Sequence, residues 1–105
     1  MNQFAALADN TRKEIIELLC KQGEMTATDI SNNFKISKPA VSQHLKVLKE
    51  FRLVKVKKEA QRRLYSVHSE GLGEVKEWAE SMTDFWNSKL NALDNFLTQK
   101  GVDNE

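Results

Sequence analysis

The sequence predicts a mostly α-helical fold with one small β-hairpin and a long C-terminal helix. Three observations carry that expectation. Residues 26–48, TATDISNNFKISKPAVSQHLKVL, hold the cap residues and apolar spacing of two short helices joined by a tight turn. Two runs of strand formers follow, Leu53, Val54 and Val56, then Leu64, Tyr65 and Val67. From about Leu72 to Leu97, apolar residues then recur at steps of three and four.

The first helices come from FAALADNTRKEIIELLC. Phe4 and Leu7 begin a short apolar turn, Asp9 can cap, and Ile15, Ile16 and Leu19 give the next helix its buried side before Gly23 stops it. Cys20, four residues after Ile16, is expected to pack as a small hydrophobe.

Thr26 with Asp29 starts the next helix as a capping box, and Ile30 and Phe34 share one face, so this helix is expected to end near Phe34. Ser37 can cap a second helix, Pro39 is tolerated in its first turn, and Val41, Leu45 and Leu48 form a buried stripe. Lys38, Ser42, Gln43 and Lys46 are left facing outward. Short polar side chains can reach base edges and lysines can neutralise phosphate, so this pair is a helix-turn-helix candidate with double-stranded DNA as partner. Two ordinary core helices with solvated lysines would show the same local pattern.

Charge distribution separates these readings. The net charge is only +1 over 105 residues. Residues 35–65, however, carry ten basic and two acidic groups, while 1–34 carry three and five, and 66–105 three and eight. The basic block coincides with the proposed reading helix and the segment after it, which favours attraction to phosphate. The two strand runs are expected to pair as a hairpin beside the helix-turn-helix, forming a wing with Lys57, Lys58, Gln61, Arg62, Arg63 and Tyr65 as candidate DNA contacts.

In the final helix, Leu72, Val75, Ala79, Met82, Trp86, Leu90, Leu93 and Leu97 form a stripe that Trp78, Phe85 and Phe96 widen. About 26 residues at ~1.5 Å each span roughly 39 Å, longer than a domain of this size needs for its own core. Part of the stripe is therefore expected to pair with a second copy of the chain.

A chain of 105 residues is one domain's worth and excludes a second, enzyme-sized domain. With 40% apolar and 30% charged residues and one proline, it is expected to fold rather than remain disordered. Apolar runs are too short to cross a membrane, and Met1, Asn2 and Gln3 followed by FAALA do not resemble a signal peptide. A cytoplasmic location is expected, and the single cysteine cannot form an internal disulfide. The expected division is one winged-helix domain, with scaffold helices in 1–24, the helix-turn-helix in 26–50, the wing in 53–67 and the dimerisation helix in 70–99.

FAALADNTRKEIIELL, ISKPAVSQHLKVLKEFRLV and QRRLYSV, in this order and at these distances, resemble the ArsR-type (ArsR/SmtB) winged helix-turn-helix transcriptional repressors. The resemblance covers about Phe4 to Val67, with the final helix alike in kind. It implies a homodimer held by its first and last helices, which sits on an inverted-repeat operator and blocks transcription. The implied reading-helix contacts are Ser37, Lys38, Pro39, Ala40, Ser42, Gln43, His44 and Lys46. The implied dimer interface combines Phe4 and Leu7 with Val75, Trp78, Met82, Phe85, Trp86, Leu90, Leu93 and Leu97. His44, at the border of the outer face, is read either as a DNA contact or as a packing or hydrogen-bonding residue.

Departures from the family pattern matter as much. Many members carry glycine where Arg52 and Ala60 stand here, and neither residue is as comfortable at positive φ. Metal-sensing members carry a Cys-x-Cys element where this chain has Ala27, Thr28, Asp29 and Ile30. The final helix offers Glu74, Glu77, Glu80 and Asp84 but no histidine, so no metal or cofactor is expected and no metal or small-molecule inducer is indicated. No glycine-rich phosphate loop or nucleophile arrangement supports an enzyme. The rival to a DNA-binding regulator is a winged-helix interaction module that docks an acidic partner.

Overall fold

In the computed structural model, residues 2–103 are described, with side chains through residue 99. The elements run α1 (Gln3–Ala8), α2 (Asn10–Gln22), α3 (Ala27–Asn32), α4 (Lys38–Glu50), β1 (Val54–Glu59), β2 (Arg62–Val67) and α5 (Ser69–Asp103). This is a mostly helical winged helix-turn-helix with a long C-terminal helix. The chain divides into two units, one ending at Val75 and one beginning at Lys76.

Local chemistry sets the helix ends in the first unit. The Asn2 side chain accepts from the Ala5 N–H and the Asp9 carboxylate from the Arg12 N–H, both at 3.0 Å, so α1 and α2 each start on a cap. The Arg12 Nε donates to the Ala6 carbonyl at 2.7 Å, satisfying an α1 end carbonyl from α2. Gly23, at φ 80°, ends α2 with its N–H on the Leu19 carbonyl. The Thr26–Asp29 capping box forms as expected. Helix α3 stops at Asn32, two residues before Phe34, which instead half-buries its ring from the turn.

Ser37 caps α4 by accepting from the Ala40 N–H at 3.2 Å, and Val41, Leu45 and Leu48 are almost wholly buried. Their stripe meets Ala6, Ile15, Ile16, Leu19, Ile30, Leu53 and Val54 in one core, and no polar side chain is buried among the described residues. Strand β1 begins one residue later than expected, and Leu53 is buried ahead of it.

The exit from α4 has an unusual sequence. The Arg52 N–H bonds the Lys49 carbonyl at 3.1 Å and the Leu53 N–H bonds the Leu48 carbonyl at 2.9 Å. This pair of bonds is a Schellman motif, and Arg52 occupies its left-handed position at φ 59°. The hairpin pairs Val54 with Val67 through Glu59 with Arg62, leaving the two-residue loop of Ala60 and Gln61. Ala60, at φ 56°, supplies the positive angle that a type II′ loop needs at its first position. Arg52 and Ala60 therefore both take a backbone conformation in which glycine is the most comfortable residue.

Cys20 corrects the sequence expectation: it is exposed. At ~100° per residue, the buried stripe of Ile15, Leu19 and Ile16 spans about 100° of α2, and Cys20 lies about 40° past its Ile16 edge.

In the second unit, α5 runs beyond its expected end at residue 99. Its large apolar side chains are exposed, from Leu90 at 40% to Trp86 at 60%. Lys89 lies 4.9 Å from the Phe85 ring centroid, a cation–π contact one turn apart. No helix among the described residues is long and apolar enough to cross a membrane.

Candidate nucleic-acid interface

Around α4, Lys38, Pro39, Ser42, Gln43, Lys46 and Lys49 are all exposed and occupy one continuous arc. Ala40 and His44 fall outside it and are half-buried. The Asp9 carboxyl is held below its usual range mainly by the Arg12 backbone N–H, with a smaller contribution from the Arg12 guanidinium.

The wing supplies a second wall. Register puts Lys58 opposite Arg63 and Val56 opposite Tyr65 on one face of the hairpin, with Lys57 opposite Leu64 on the other. Lys57 turns to Glu24, at 3.4 Å, and to Glu59, at 3.8 Å. Lys58, Arg62 and Arg63 make no ion pair among the described residues. The pair with Glu24, more than thirty positions away, leaves no local signal in the sequence.

Between α4 and the wing lies a cleft of about 420 Å³, lined by Thr26, Ala27, Thr28, Lys38, Ser42, Gln61, Arg62, Arg63 and Tyr65. A second, of about 290 Å³, is lined by Ser42, Leu45, Lys46, Lys49, Arg63 and Tyr65. Ser42, Arg63 and Tyr65 line both, so they stand where reading helix and wing meet. Thr26, Thr28 and Lys49 are lining residues that sequence reasoning missed. Lys49 was within reach, since it follows Lys46 by three and Ser42 by seven on the helix.

The rigid base of the wing is backbone. The Met25 and Tyr65 N–H groups each donate to the other residue's carbonyl, at 2.9 and 2.8 Å, so the segment entering α3 pairs with β2. The surface that results is basic, groove-shaped and rich in hydroxyl donors, which suits a phosphate backbone. No thiolate stands at positions 27–30, and no group of three or more His, Cys, Asp or Glu is placed to hold an ion among the described residues.

Comparison with known proteins agrees with this geometry. The model of the bacterial regulatory protein family arsR matches residues 9–56. The chain is 39% identical over 92 residues to the transcriptional repressor SdpR of Bacillus subtilis, covering 88% of this chain and 98% of that protein. It is 36% identical over 100 residues to an HTH-type transcriptional regulator of Mycobacterium tuberculosis, covering 95% and 90%. Among solved structures, it is similar to the homodimeric winged helix-turn-helix DNA-binding domain of a possible ArsR-family regulator from Mycobacterium bovis. That likeness has a TM-score of 0.63 at 27% identity and covers 78% of this chain and 75% of that one.

Proposed function

Because the chain belongs to the ArsR family of winged helix-turn-helix, DNA-binding transcription regulators, we propose that it is a dimeric repressor of an inverted-repeat operator, acting in the cytoplasm. One observation carries the reading: the exposed arc of α4 and the unpaired basic side chains of the wing flank a single groove. In this reading α4 enters the major groove, with Ser42 and Gln43 at base edges and Lys38, Lys46 and Lys49 on phosphates. Lys58, Arg62 and Arg63 follow the adjoining backbone or minor groove. Its own promoter is among the targets, and an inverted repeat upstream of its start codon supplies the first probe.

A second copy is the occupant proposed for the α5 stripe. Met82, Phe85, Trp86, Leu90, Leu93 and Leu97 expose large apolar surfaces that a solvated helix does not retain without a partner. Its relative from Mycobacterium bovis is homodimeric, and a symmetric pair would present two reading helices to half-sites about 34–36 Å apart.

Binding titrations over a salt series, with the promoter duplex against random duplex, test the reading. Operator selectivity with a steep salt slope is the expected result. Equal, weak binding to every duplex would sink it and favour docking to an acidic protein partner.

A further inference from the structure

Arg52 occupies a position where glycine is favoured, yet its side chain is fully engaged. One guanidinium nitrogen lies 2.5 Å from the Glu70 Oε1 and the other 2.5 Å from the Glu74 Oε1. Glu70 and Glu74 are four residues apart, so they project from the same face of the first turns of α5. The backbone doubles the link, because the Gly71 N–H donates to the Arg52 carbonyl at 2.9 Å. A Cβ at Gly71 would collide with that carbonyl oxygen, so glycine lets α5 approach this closely. The other oxygen of Glu70 faces His68 Nε2 at 3.6 Å.

A planar fork held by two carboxylates one helical turn apart restricts rotation as well as distance. The three side chains are about half exposed, at 46%, 54% and 44%. Solvent therefore screens the ion pairs, which makes them a weak source of stability and leaves geometry as their main effect.

We propose that Arg52 is a positioning residue, which clamps the C-terminal end of the reading helix to the first turns of α5 and so holds paired reading helices to one operator spacing. The proposal rests on the dimeric DNA-binding reading above. It identifies a specificity determinant that touches no base. Adding one base pair between half-sites shifts them by about 3.4 Å and roughly 35°. A clamped pair resists that change, and an unclamped one accommodates it.

The test compares full-length wild type with Arg52→Gly, Arg52→Lys and the double variant Glu70→Gln/Glu74→Gln. Arg52→Gly keeps the left-handed turn comfortable, so loss of the clamp is not confounded by misfolding. Without DNA, amide hydrogen exchange at Gly71 is expected to rise about tenfold in Arg52→Gly and in the double variant. Affinities are then measured for the operator and for versions with one base pair added to or removed from its spacer. The wild-type spacer penalty is expected to fall by about threefold or more in Arg52→Gly, with Arg52→Lys between the two. An unchanged spacer penalty in Arg52→Gly, with wild type still selective, overturns the clamp alone. Wild type that prefers no duplex overturns the DNA-binding reading itself, and the spacing role with it.

Discussion

Met25 and Tyr65 are forty positions apart and exchange both backbone hydrogen bonds, at 2.9 and 2.8 Å. This bridge joins the entrance of the helix-turn-helix to the wing strand whose Arg63 and Tyr65 line the groove. Met25→Pro removes one donor and its bond, together with a side chain packed against the core, while changing no groove-lining residue. Urea denaturation should show a loss of about 2–3 kcal/mol. DNA affinity should fall as well, since the wing loses its fixed angle to α4. A variant with normal stability would mean that the bridge does not hold the wing.

Gln43 and Lys58 should divide specificity from affinity. Gln43→Ala is expected to relax discrimination at one operator base pair by about 1–3 kcal/mol. Lys58→Ala should weaken all duplexes alike and reduce the salt slope by about one. Lys57→Ala provides the contrast, because Glu24 and Glu59 already hold that ammonium, and it should alter binding least. Titrations against a base-substituted operator panel check all three, and reversal of the Gln43 and Lys58 effects would refute the assignment.

Ala60 sits at φ 56° in the wing loop, a region that L side chains enter at a cost. Ala60→Gly should therefore raise stability by about 0.5–1 kcal/mol, the relieved strain outweighing the added freedom of the unfolded chain. A thermal midpoint below that of wild type would contradict the strained-loop assignment.

Trp86, 60% exposed on α5, is the most exposed of the large apolar side chains on that helix. Trp86→Asp puts a charge into the proposed dimer interface, where burial without a partner is costly. Sedimentation should show monomer at concentrations where wild type is dimeric. A dimer of undiminished stability would remove this stripe from the interface.

Asp9 links the start of α2 to pH. Its pKa is lowered chiefly by the Arg12 backbone N–H, so the stability it contributes is full above the unfolded carboxylate range. That contribution is lost as pH falls through the lowered folded value. Asp9→Asn retains a capping oxygen but has no charge to titrate. Acid unfolding profiles should show a shallower loss of stability for the variant, and superimposable profiles would argue against the linkage.

The local grammar of this chain was legible because it acts over three or four residues. Asp9, Thr26 and Ser37 cap their helices, and Ile15, Leu19, Val41, Leu45 and Leu48 turn inward, as spacing alone required. The groove was half legible. Helical periodicity brings Lys38, Ser42, Gln43 and Lys46 to one face, but the wall opposite depends on strand register and on the Met25–Tyr65 bridge.

By itself, then, the sequence determined the element order, the helix caps, the buried stripes and the basic exposed face of α4, all consequences of backbone capping and side-chain period. Tertiary structure alone decided that Lys57 lies against Glu24 and that Arg52 reaches Glu70 and Glu74. Each joins residues from 18 to 33 positions apart. No helical or strand period spans such a separation, so only packing of the whole unit could bring these charges together.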